Sequence, residues 1–355
     1  MEIKHIYWFS YFNLSEPSVR YRAKYPLEQL QSQYGITSSV VLPERNLHGI
    51  WQFIKVFLSA LLFRKKDSLI VFQKIYTNGL YAKTLQLLLL LSPCNTLYDI
   101  DDAEYTRRPA GTIHYFMKKC TACTVGSAAL ANYARQFNTE VALLTSPVIE
   151  HGVSRAPDNV FTVGWIGYYG AHRESLTRLL FPALQKTDFP VRLKLLGVAG
   201  SEEREEIRNY FSNKPNISLD MPADIDWQNE YAVYRHVASF DVGVSPLTDT
   251  EFNRAKSAFK LKQCLSCGIP VLGSSVGENL RFLKDGVNGY LCDSPDDYYE
   301  NICRLQQLPA AAYSLLSENA KQSITQFSIA HYCAALLSFY SSKAVPAPTG
   351  TTASL

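Results

Sequence analysis

The stretch that decides the fold runs from residue 253 to residue 274 and reads Asn253-Arg-Ala-Lys-Ser-Ala-Phe-Lys-Leu-Lys-Gln-Cys-Leu-Ser-Cys-Gly-Ile-Pro-Val-Leu-Gly-Ser274. Its basic first part predicts a helix, and Gly268 suits the left-handed position just after a helix C-terminus. Pro270 cannot continue a helix but is accepted at the first residue of a strand, so an apolar strand is predicted from Val271. The stretch therefore predicts a helix that leads directly into a buried strand.

The same alternation of helical patterns and short apolar strands runs through the whole chain. Strands are predicted at residues 3–10, 38–43, 68–74, 96–101, 121–126, 141–147, 161–167, 192–197, 217–219, 242–247, 271–273 and 289–292. Helices are predicted at 20–34, 47–63, 77–91, 174–184, 202–211, 227–238, 256–267, 278–283, 296–307 and 310–326. This alternation predicts βαβ units and parallel sheets. Because 355 residues exceed one typical core, we expect two α/β domains.

Two lysines of the opening stretch indicate an anion site. Lys256 and Lys260 are four residues apart, so on a helix that starts near residue 256 they share one face. The N-terminus of a helix offers backbone N–H groups and a favourable dipole to an anion. Together these features predict a bound phosphate group, most simply a diphosphate. The alternative is an ordinary solvated helix face.

The whole stretch resembles the donor-site helix of family 4 glycosyltransferases, bacterial cell-surface polysaccharide enzymes of the GT-B fold among them. The family pattern has an acidic residue, here Glu251, ahead of the lysine, and it ends in Gly-x-Pro-Val, as residues 268–271 do. The second Glu of the family pattern is replaced by Gln263. A Gln accepts a hydrogen bond from the donor ribose but offers no charged, bidentate acceptor, so the replacement bears on donor affinity or identity.

The resemblance implies two Rossmann-like, doubly wound domains that face a central crevice, with ligands at the carboxyl ends of the strands. We expect an acceptor-side domain at residues 1–152 and a donor-binding domain at 158–328. The last helix, at 329–342, is expected to cross back to the first domain. Residues 345–355 are rich in Pro, Thr, Ala and Ser and are expected to be a disordered tail.

A glycine-containing turn opens the second domain, where a strand ends at Gly167 and a helix follows Gly170. Backbone amides in such a turn can surround phosphate oxygens. The resemblance implies donor contacts at Gly167, Tyr168 and Gly170, and it places Arg173 where the family has a basic residue near the diphosphate. A cation at a helix N-terminus opposes the helix dipole, which an anionic ligand would explain. The alternative is an ordinary solvent-exposed arginine.

Further donor contacts are implied along the loop that precedes Lys256. The resemblance makes Glu251 the residue that binds a sugar hydroxyl, with Asp249 as the alternative in a different alignment. Lys256 and Arg173 are expected to stabilise the leaving diphosphate. The remaining predicted donor-binding residues are Pro246, Asn253, Lys260, Gln263 and Ser275.

In the first domain, the string Tyr98-Asp-Ile-Asp-Asp102 ends an apolar strand. Its D-x-D pattern binds manganese in a different glycosyltransferase fold, but the resemblance is to GT-B enzymes, which generally work without metal. We therefore expect no metal and no other cofactor. Asp101 and Asp102 are predicted either to bind acceptor hydroxyls or to cap the next helix.

The other acceptor-side candidates are two arginines and one histidine. Arg20 and Arg22 follow the first strand, and guanidinium groups suit donor or acceptor phosphates better than ammonium groups do. The alternative for Arg20 is an exposed first helical turn. His114 lies between the Asp-Asp string and the next helix, where a lone histidine is more often structural.

Charge is distributed unevenly along the chain. Residues 1–150 carry 16 Lys and Arg against 11 Asp and Glu, whereas residues 151–355 carry 19 against 21. The basic first part fits contact with anionic lipid or a lipid-linked phosphate. The apolar run at 50–63 is followed by Arg64-Lys65-Lys66 and fits either a buried helix or a membrane-surface helix.

The N-terminus lacks the features of a secretory signal, and no apolar run is long enough to span a bilayer. We expect a cytoplasmic protein that meets the inner face of the plasma membrane. No partner role for nucleic acid is expected.

The resemblance implies transfer, with retention of configuration, of a sugar from a UDP- or GDP-linked donor to a carbohydrate or lipid-linked saccharide. The pathway it implies is surface polysaccharide or lipopolysaccharide biosynthesis. One alternative is a GT-B epimerase of nucleotide sugars, although it would need more acid–base side chains than the few histidines provide. A non-catalytic nucleotide-sugar-binding protein is a second alternative, because Gln263 departs from the family pattern. An exported two-lobed binding protein would need an export signal.

Overall fold

The computed structural model describes residues 3–44, 46–62, 67–92, 94–156 and 159–343. The chain divides into two compact units. Unit 1 comprises residues 1–147 and 329–355, and unit 2 comprises residues 148–328. The predicted tail at 345–355 lies outside the described residues.

Unit 1 is built on a parallel six-stranded sheet in the order β2-β1-β3-β4-β5-β6. Its strands are β1 His5–Ser10, β2 Thr37–Val41, β3 Ser68–Gln73, β4 Asn95–Ile100, β5 Ala122–Val125 and β6 Val141–Leu143. The helices of unit 1 that precede unit 2 along the chain are α1 Pro17–Val19, α2 Tyr25–Tyr34, α3 Leu47–Leu62, α4 Leu80–Leu91, α5 Gly111–Lys119 and α6 Ala128–Ala134. Every residue of β3 is buried, as expected for a parallel strand covered on both faces.

Unit 2 repeats the plan with a second parallel sheet, in the order β12-β11-β10-β7-β8-β9. Its strands are β7 Thr162–Ile166, β8 Val191–Leu196, β9 Ile217–Asp220, β10 Val242–Ser245, β11 Val271–Gly273 and β12 Gly289–Leu291. Its helices are α7 Tyr169–Ser175, α8 Phe181–Gln185, α9 Ser201–Phe211, α10 Glu230–Ala238, α11 Glu251–Arg254, α12 Phe259–Ser266, α13 Asn279–Phe282, α14 Pro295–Gln306 and α15 Ala310–Ile324. The predicted α/β fold class is confirmed.

The last helix, α16 (Ile329–Lys343), belongs to unit 1 rather than to unit 2. Its residues Tyr332, Cys333 and Leu336 are buried in the same apolar cluster as Leu27 and Leu30 of α2. Burial of these side chains stabilises α16, because a helix in a folded protein is held mainly by the packing of its apolar face.

Two helical segments in the part of the chain that the structure describes contain a π turn, and each π turn precedes a proline. The π turn at Arg20–Lys24 lies before Pro26, and the one at Leu176–Leu180 lies before Pro182. Proline lacks an N–H donor and its ring collides with the preceding turn, so a regular i→i−4 hydrogen bond is lost there. The wider turn lets each helix continue past its proline.

The helix predicted at 256–267 is shorter than expected. α12 begins at Phe259, and Ala258 before it has a left-handed backbone with φ of 50°. Lys256 therefore lies in the connection between α11 and α12, and the prediction that Lys256 and Lys260 share one helix face was wrong. The predicted end is correct, because Gly268 follows the helix with φ of 74°.

Within the described residues, no helix combines the length and apolar character needed to cross a bilayer.

Candidate functional site

The sheet order of unit 2 points to one place for a ligand. β7 is the first strand of the unit, and β8 and β10 flank it on opposite sides. The connections that follow β7 and β10 therefore leave the sheet in opposite directions at its carboxyl edge. In open parallel sheets, this topological switch point is where ligands bind.

The turn after β7 is built around Gly167. Its N–H donates to the carbonyl of Leu196 over 2.8 Å, which joins the ends of β7 and β8. A side chain at position 167 would collide with the ammonium group of Lys260 and the ring of Trp165. Gly197, with φ of 108°, packs in the same way against the carbonyl of Gly167. Position 197 requires glycine because of its positive φ and the nearby carbonyl, whereas a side chain at position 167 would displace Lys260 from the turn.

Lys260 projects from the first turn of α12 to this turn. Its Nζ donates to Nε2 of His172 over 2.6 Å and lies 5.1 Å from the ring centroid of Trp165. Since an ammonium group can only donate, Nε2 of His172 must be the unprotonated nitrogen of a neutral imidazole. His172 on α7 is 5% exposed. The arrangement fixes a positive charge beside a glycine turn and at the N-terminus of α12, where no side chain caps the helix.

The backbone of the loop after β10 is held by hydrogen bonds to side chains of Ser175 and Asn253. The N–H of Thr248 donates to Oγ of Ser175 over 3.0 Å, and Nδ2 of Asn253 donates to the carbonyl of Thr248 over 2.9 Å. Asn253 was predicted to contact the donor, but the structure shows it buried in this bracing role. Pro246, which directly follows β10, is also buried.

Arg173 does not stand at a helix start. α7 begins at Tyr169 and continues through the π turn into α8, so Arg173 lies just after the first helical turn. The prediction of an uncompensated cation at the helix N-terminus was wrong, because Arg173 is paired with an acidic residue. Its guanidinium donates to Glu206 over 2.8 Å at the surface, and this hydrogen bond raises the pKa of Arg173. Arg173 is therefore exposed and already paired with a carboxylate.

Lys256 and Asp249, two of the charged residues near α11, each contact a neighbour in the same segment. Nζ of Lys256 lies 4.5 Å from the ring centroid of Phe252. Glu251 is the exposed first residue of α11. Asp249, its alternative, forms a two-pronged pair with Arg254, with its shortest contacts at 2.5 and 2.7 Å, and this pairing lowers the pKa of Asp249.

The other predicted donor residues take varied positions. Tyr168 is exposed beside Gly170, at the start of α7. Gln263 is buried on α12, three residues after Lys260 and hence on the same helix face. The N–H of Ser275 donates to Asp293 over 2.8 Å, in the loop after β11.

The carboxyl edge of the unit 1 sheet holds a second charged cluster. Nζ of Lys74, directly after β3, lies 2.7 Å from Oδ1 of Asp101 and 2.7 Å from Oδ2 of Asp102, which both follow β4. It also lies 3.4 Å from Oγ of Ser18 and 5.7 Å from the ring centroid of Phe12. The structure thus brings Asp101 and Asp102 together around one ammonium group, rather than around a helix N-terminus.

This cluster is buried and strained. Lys74 has φ of 55°, a left-handed backbone conformation that is unusual for a residue with a side chain, and it is buried. Burial raises the pKa of Asp101, although Lys74 opposes the shift. The hydroxyl of Tyr76 is buried without a hydrogen-bond partner among the described residues. Two carboxylates and one ammonium leave the cluster with a net negative charge, which favours hydroxyl donors over phosphates.

The predicted roles of Arg20 and Arg22 as ligands for phosphates were wrong. The guanidinium of Arg22 is fully buried and holds Asp99 through both of its prongs, at 3.0 and 2.5 Å. Arg20 is also buried, and its Nη1 donates to the carbonyls of Leu14 and Ser15. Both arginines therefore stabilise the fold through contacts within the protein, and both lie on the π turn before Pro26.

His114 occupies a structural position. Its Nε2 lies 2.7 Å from the hydroxyl of Tyr133, and its ring stacks on Phe137 with centroids 4.3 Å apart. Burial lowers the pKa of His114. This pairing with α6 matches the structural alternative stated for a lone histidine.

Two residues of these clusters were missed from sequence, namely His172 and Lys74. A signal existed for Lys74, since the polar pair Gln73-Lys74 follows the apolar run at residues 69–72 and lies at the sheet edge where ligands bind. His172 carries a weaker signal, because a lone histidine in a predicted helix is usually structural. In the described ranges, no group of three or more His, Cys, Asp or Glu side chains is placed to hold a metal ion.

A protein-family model described as Glycosyl transferases group 1 matches residues 160–307, which span the Gly167 turn, Lys260 and His172. No curated protein sequence matches the chain significantly.

Solved structures resemble the chain over nearly its whole length. A sucrose-phosphate synthase from Thermosynechococcus elongatus has a TM-score of 0.69 at 13% identity, with 96% of this chain and 99% of that chain covered. HepE from Anabaena, solved in complex with UDP, has a TM-score of 0.65 at 13% identity, with coverages of 96% and 100%. The lipopolysaccharide outer core galactosyltransferase WaaB has a TM-score of 0.65 at 13% identity, with coverages of 96% and 99%. At such identities the likeness shows the fold, which is GT-B. The chain therefore carries a Glycosyl transferases group 1 domain at residues 160–307 and is a glycosyltransferase of the GT-B fold.

Proposed function

We propose that the chain transfers a sugar from a nucleoside diphosphate sugar, with retention of configuration, to a saccharide or a lipid-linked saccharide. The observation that carries this proposal is the ammonium group of Lys260, which His172 holds against the Gly167 turn within the matched domain. Catalysis in such a reaction depends mainly on stabilising the charge that develops on the leaving diphosphate. A fixed ammonium group at the end of β7 and the N-terminus of α12 supplies that stabilisation.

Other donor contacts follow from the position of Lys260. Gln263 lies on the same face of α12 and is the proposed ribose contact. Glu251 at the exposed start of α11 is the proposed contact with a sugar hydroxyl. Lys256 and Arg173 remain secondary candidates for the diphosphate. UDP is the favoured nucleotide, because HepE structures contain UDP and UDP-glucose. We place the enzyme in family 4, with no metal or other cofactor.

On the acceptor side, the proposed residues are Asp101 and Asp102, positioned by Lys74. Their net negative charge suits the hydroxyl groups of a saccharide, which donate hydrogen bonds. A lipid-linked acceptor would place the enzyme at the cytoplasmic face of the membrane. The pathway proposed is surface polysaccharide or lipopolysaccharide synthesis, and WaaB is a lipopolysaccharide galactosyltransferase of the same fold.

The test is to incubate the purified chain with UDP-, GDP- and ADP-sugars and a panel of saccharide acceptors, and to measure release of the free nucleoside diphosphate. Nuclear magnetic resonance of the product then assigns the anomeric configuration. We expect acceptor-dependent release of UDP and an α-linked product from an α-linked donor. Conversion of the donor into an epimer without a glycoside product would identify an epimerase, and donor binding with no turnover for any acceptor would identify a non-catalytic protein. Either result would contradict the proposal.

A further inference from the structure

Helices α3 and α4 of unit 1 expose an unusual amount of apolar side chain. Of the 17 large hydrophobic residues that are exposed in the described chain, ten lie on these two helices. They are Leu47, Ile50, Trp51, Ile54, Leu58 and Leu62 on α3 and Leu80, Leu87, Leu90 and Leu91 on α4. We call these ten residues the α3–α4 surface. Exposed apolar residues scattered singly need no explanation, whereas a cluster of this size marks an interaction site.

The two helices form one surface. α3 connects β2 to β3 and α4 connects β3 to β4, so both advance in the same direction across the sheet. Right-handed crossovers then place both helices on the same face. Phe53 of α3 and Tyr81 of α4 confirm that the helices touch, since their ring centroids are 5.5 Å apart.

The exposed apolar residues of α3 follow a helical stripe. Leu47, Trp51, Ile54, Leu58 and Leu62 are separated by intervals of four, three, four and four residues. The opposite side of the helix is buried against the sheet through Gly49, Val56 and Ala60. The helix is therefore held in place by one face, while a second apolar face points away from the core.

The charges on these helices are of one sign. Lys55 and Lys83 are exposed, and neither helix carries an acidic residue. The only acidic residue between positions 46 and 98 is Asp67, which lies 3.9 Å from Lys4. Trp51, 69% exposed, adds a side chain that favours the boundary between lipid and water.

We propose that the α3–α4 surface docks on a membrane that contains anionic phospholipid. Apolar side chains would enter the headgroup boundary while Lys55 and Lys83 meet phosphate groups. Two copies of the chain fit this surface poorly, because a twofold interface would bring their lysines together without an acidic partner. The predicted basic segment Arg64-Lys65-Lys66 lies outside the described residues and is not part of the surface. Docking of this surface on a membrane does not depend on the transfer reaction.

The experiment is flotation of the full chain with vesicles of phosphatidylcholine alone and of phosphatidylcholine with phosphatidylglycerol. The test variant carries Leu58→Ser and Leu62→Ser, whose side chains are 44% and 66% exposed. The matched control carries Leu280→Ser and Leu315→Ser in unit 2, where the exposures are 48% and 61%. We expect the wild type and the control to float with anionic vesicles. The test variant should bind at least about tenfold more weakly, since each lost leucine removes apolar area that would otherwise enter the headgroup boundary.

A second readout follows Trp51 itself. Trp8 and Trp165 are buried and Trp227 of unit 2 is half-buried, so the part of a blue shift of tryptophan emission that reports on Trp51 is the part that Trp51→Phe abolishes. Trp51→Phe should still float but should lose this shift. Absence of flotation by the wild type, or equal flotation of both double variants, would overturn the proposal. The proposal would also be overturned if the wild type and the control formed a concentration-dependent dimer and the test variant stayed monomeric, because the surface would then bind a second copy. UDP binding is measured on the same preparations. A protein that binds UDP but does not float contradicts membrane docking alone, and a protein that floats but does not bind UDP contradicts the proposed reaction alone.

Discussion

Nζ of Lys260 lies 2.6 Å from Nε2 of His172. This hydrogen bond joins two helices, α12 and α7, which are distant in sequence and meet at the carboxyl edge of the unit 2 sheet. His172 restricts the lysine to one position, so a ligand would not have to order a free lysine side chain when it binds. The positive charge at the Gly167 turn is thereby already in place before a diphosphate arrives.

The glycine turn itself provides the first prediction. Gly167→Ala places a methyl group where the Lys260 ammonium and the Trp165 ring now lie, so the lysine has to leave its position. We expect affinity for UDP to fall at least about tenfold, on the order of one lost charge-assisted hydrogen bond. Isothermal titration calorimetry measures this change. Gly111→Ala is the control, because no atom lies within 4 Å of the added methyl group. Equal UDP affinity of the two variants would show that the turn does not contact the nucleotide.

The acceptor-side cluster provides the second prediction. Asp102→Asn removes one carboxylate at the carboxyl edge of the unit 1 sheet but keeps its shape. We expect the KM for the acceptor to rise about tenfold, with UDP affinity unchanged, since a hydrogen bond to a charged group contributes roughly 1.5–3 kcal/mol. Steady-state kinetics with varied acceptor measures the effect. Asp67→Asn, in the same unit, is the control. A change in UDP affinity with no change in acceptor KM would place Asp102 on the donor instead.

The buried pair of Arg22 and Asp99 provides a stability prediction. Arg22→Met leaves Asp99 buried without its partner, and breaking such a pair typically costs about 3–5 kcal/mol. Urea unfolding of the full chain measures the loss. The comparison is Lys4→Met, whose exposed pair with Asp67 is 3.9 Å long and should contribute less than about 0.5 kcal/mol. A small loss for Arg22→Met would mean that the guanidinium is not essential to the fold and is available for a ligand.

A pH dependence of stability is predicted from His151. Its Nδ1 accepts from the N–H of Val153 over 3.0 Å and its Nε2 lies 3.1 Å from Oγ of Ser266, so the neutral ring is favoured. Burial lowers the pKa of His151 from 6.5 to about 4. The unfolded chain thus binds more protons between these values, and stability is complete above pH 6.5 and is lost as pH falls toward about 4.

The size of this effect is moderate because the ring is partly solvated. We expect His151 to contribute about 1–2 kcal/mol across that window, after allowance for solvent screening. Unfolding measured at intervals from pH 4 to pH 7.5 should show a weaker pH dependence for His151→Gln than for the wild type. Parallel pH curves for the two proteins would exclude a buried neutral His151.

Much of the fold follows from local sequence patterns. The apolar strands and the Gly268-Ile269-Pro270 boundary predicted the parallel sheets and the end of α12 correctly. The start of α12 was misplaced because Ala258 adopts a left-handed conformation, which is uncommon for a residue other than glycine and is not indicated by the sequence. The start of α7 was misplaced as well: the helix was predicted from residue 174 and begins at Tyr169.

The site was less predictable because its residues meet through tertiary contacts. Gly167 and Lys260 were both predicted as donor residues, yet their contact through His172 depends on the packing of α7 against α12. The sequence suggested Arg22 as a phosphate ligand, but its guanidinium forms an ion pair with Asp99, which lies 77 residues away along the chain. The role of Lys74 depends on its ion pairs with Asp101 and Asp102, which follow the neighbouring strand β4 and are distant from Lys74 in sequence.

The most direct test of the account is calorimetric titration of UDP into the wild type, Lys260→Ala and Lys256→Ala. Both substitutions remove one ammonium group from the same segment, but the ammonium group of Lys260 lies at the Gly167 turn, whereas that of Lys256 lies over the ring of Phe252. We predict that the wild type binds UDP, that Lys260→Ala weakens binding about 10- to 100-fold, and that Lys256→Ala changes it by less than about threefold. Loss of binding in Lys256→Ala with retention in Lys260→Ala, or no binding of UDP by the wild type, would contradict the account.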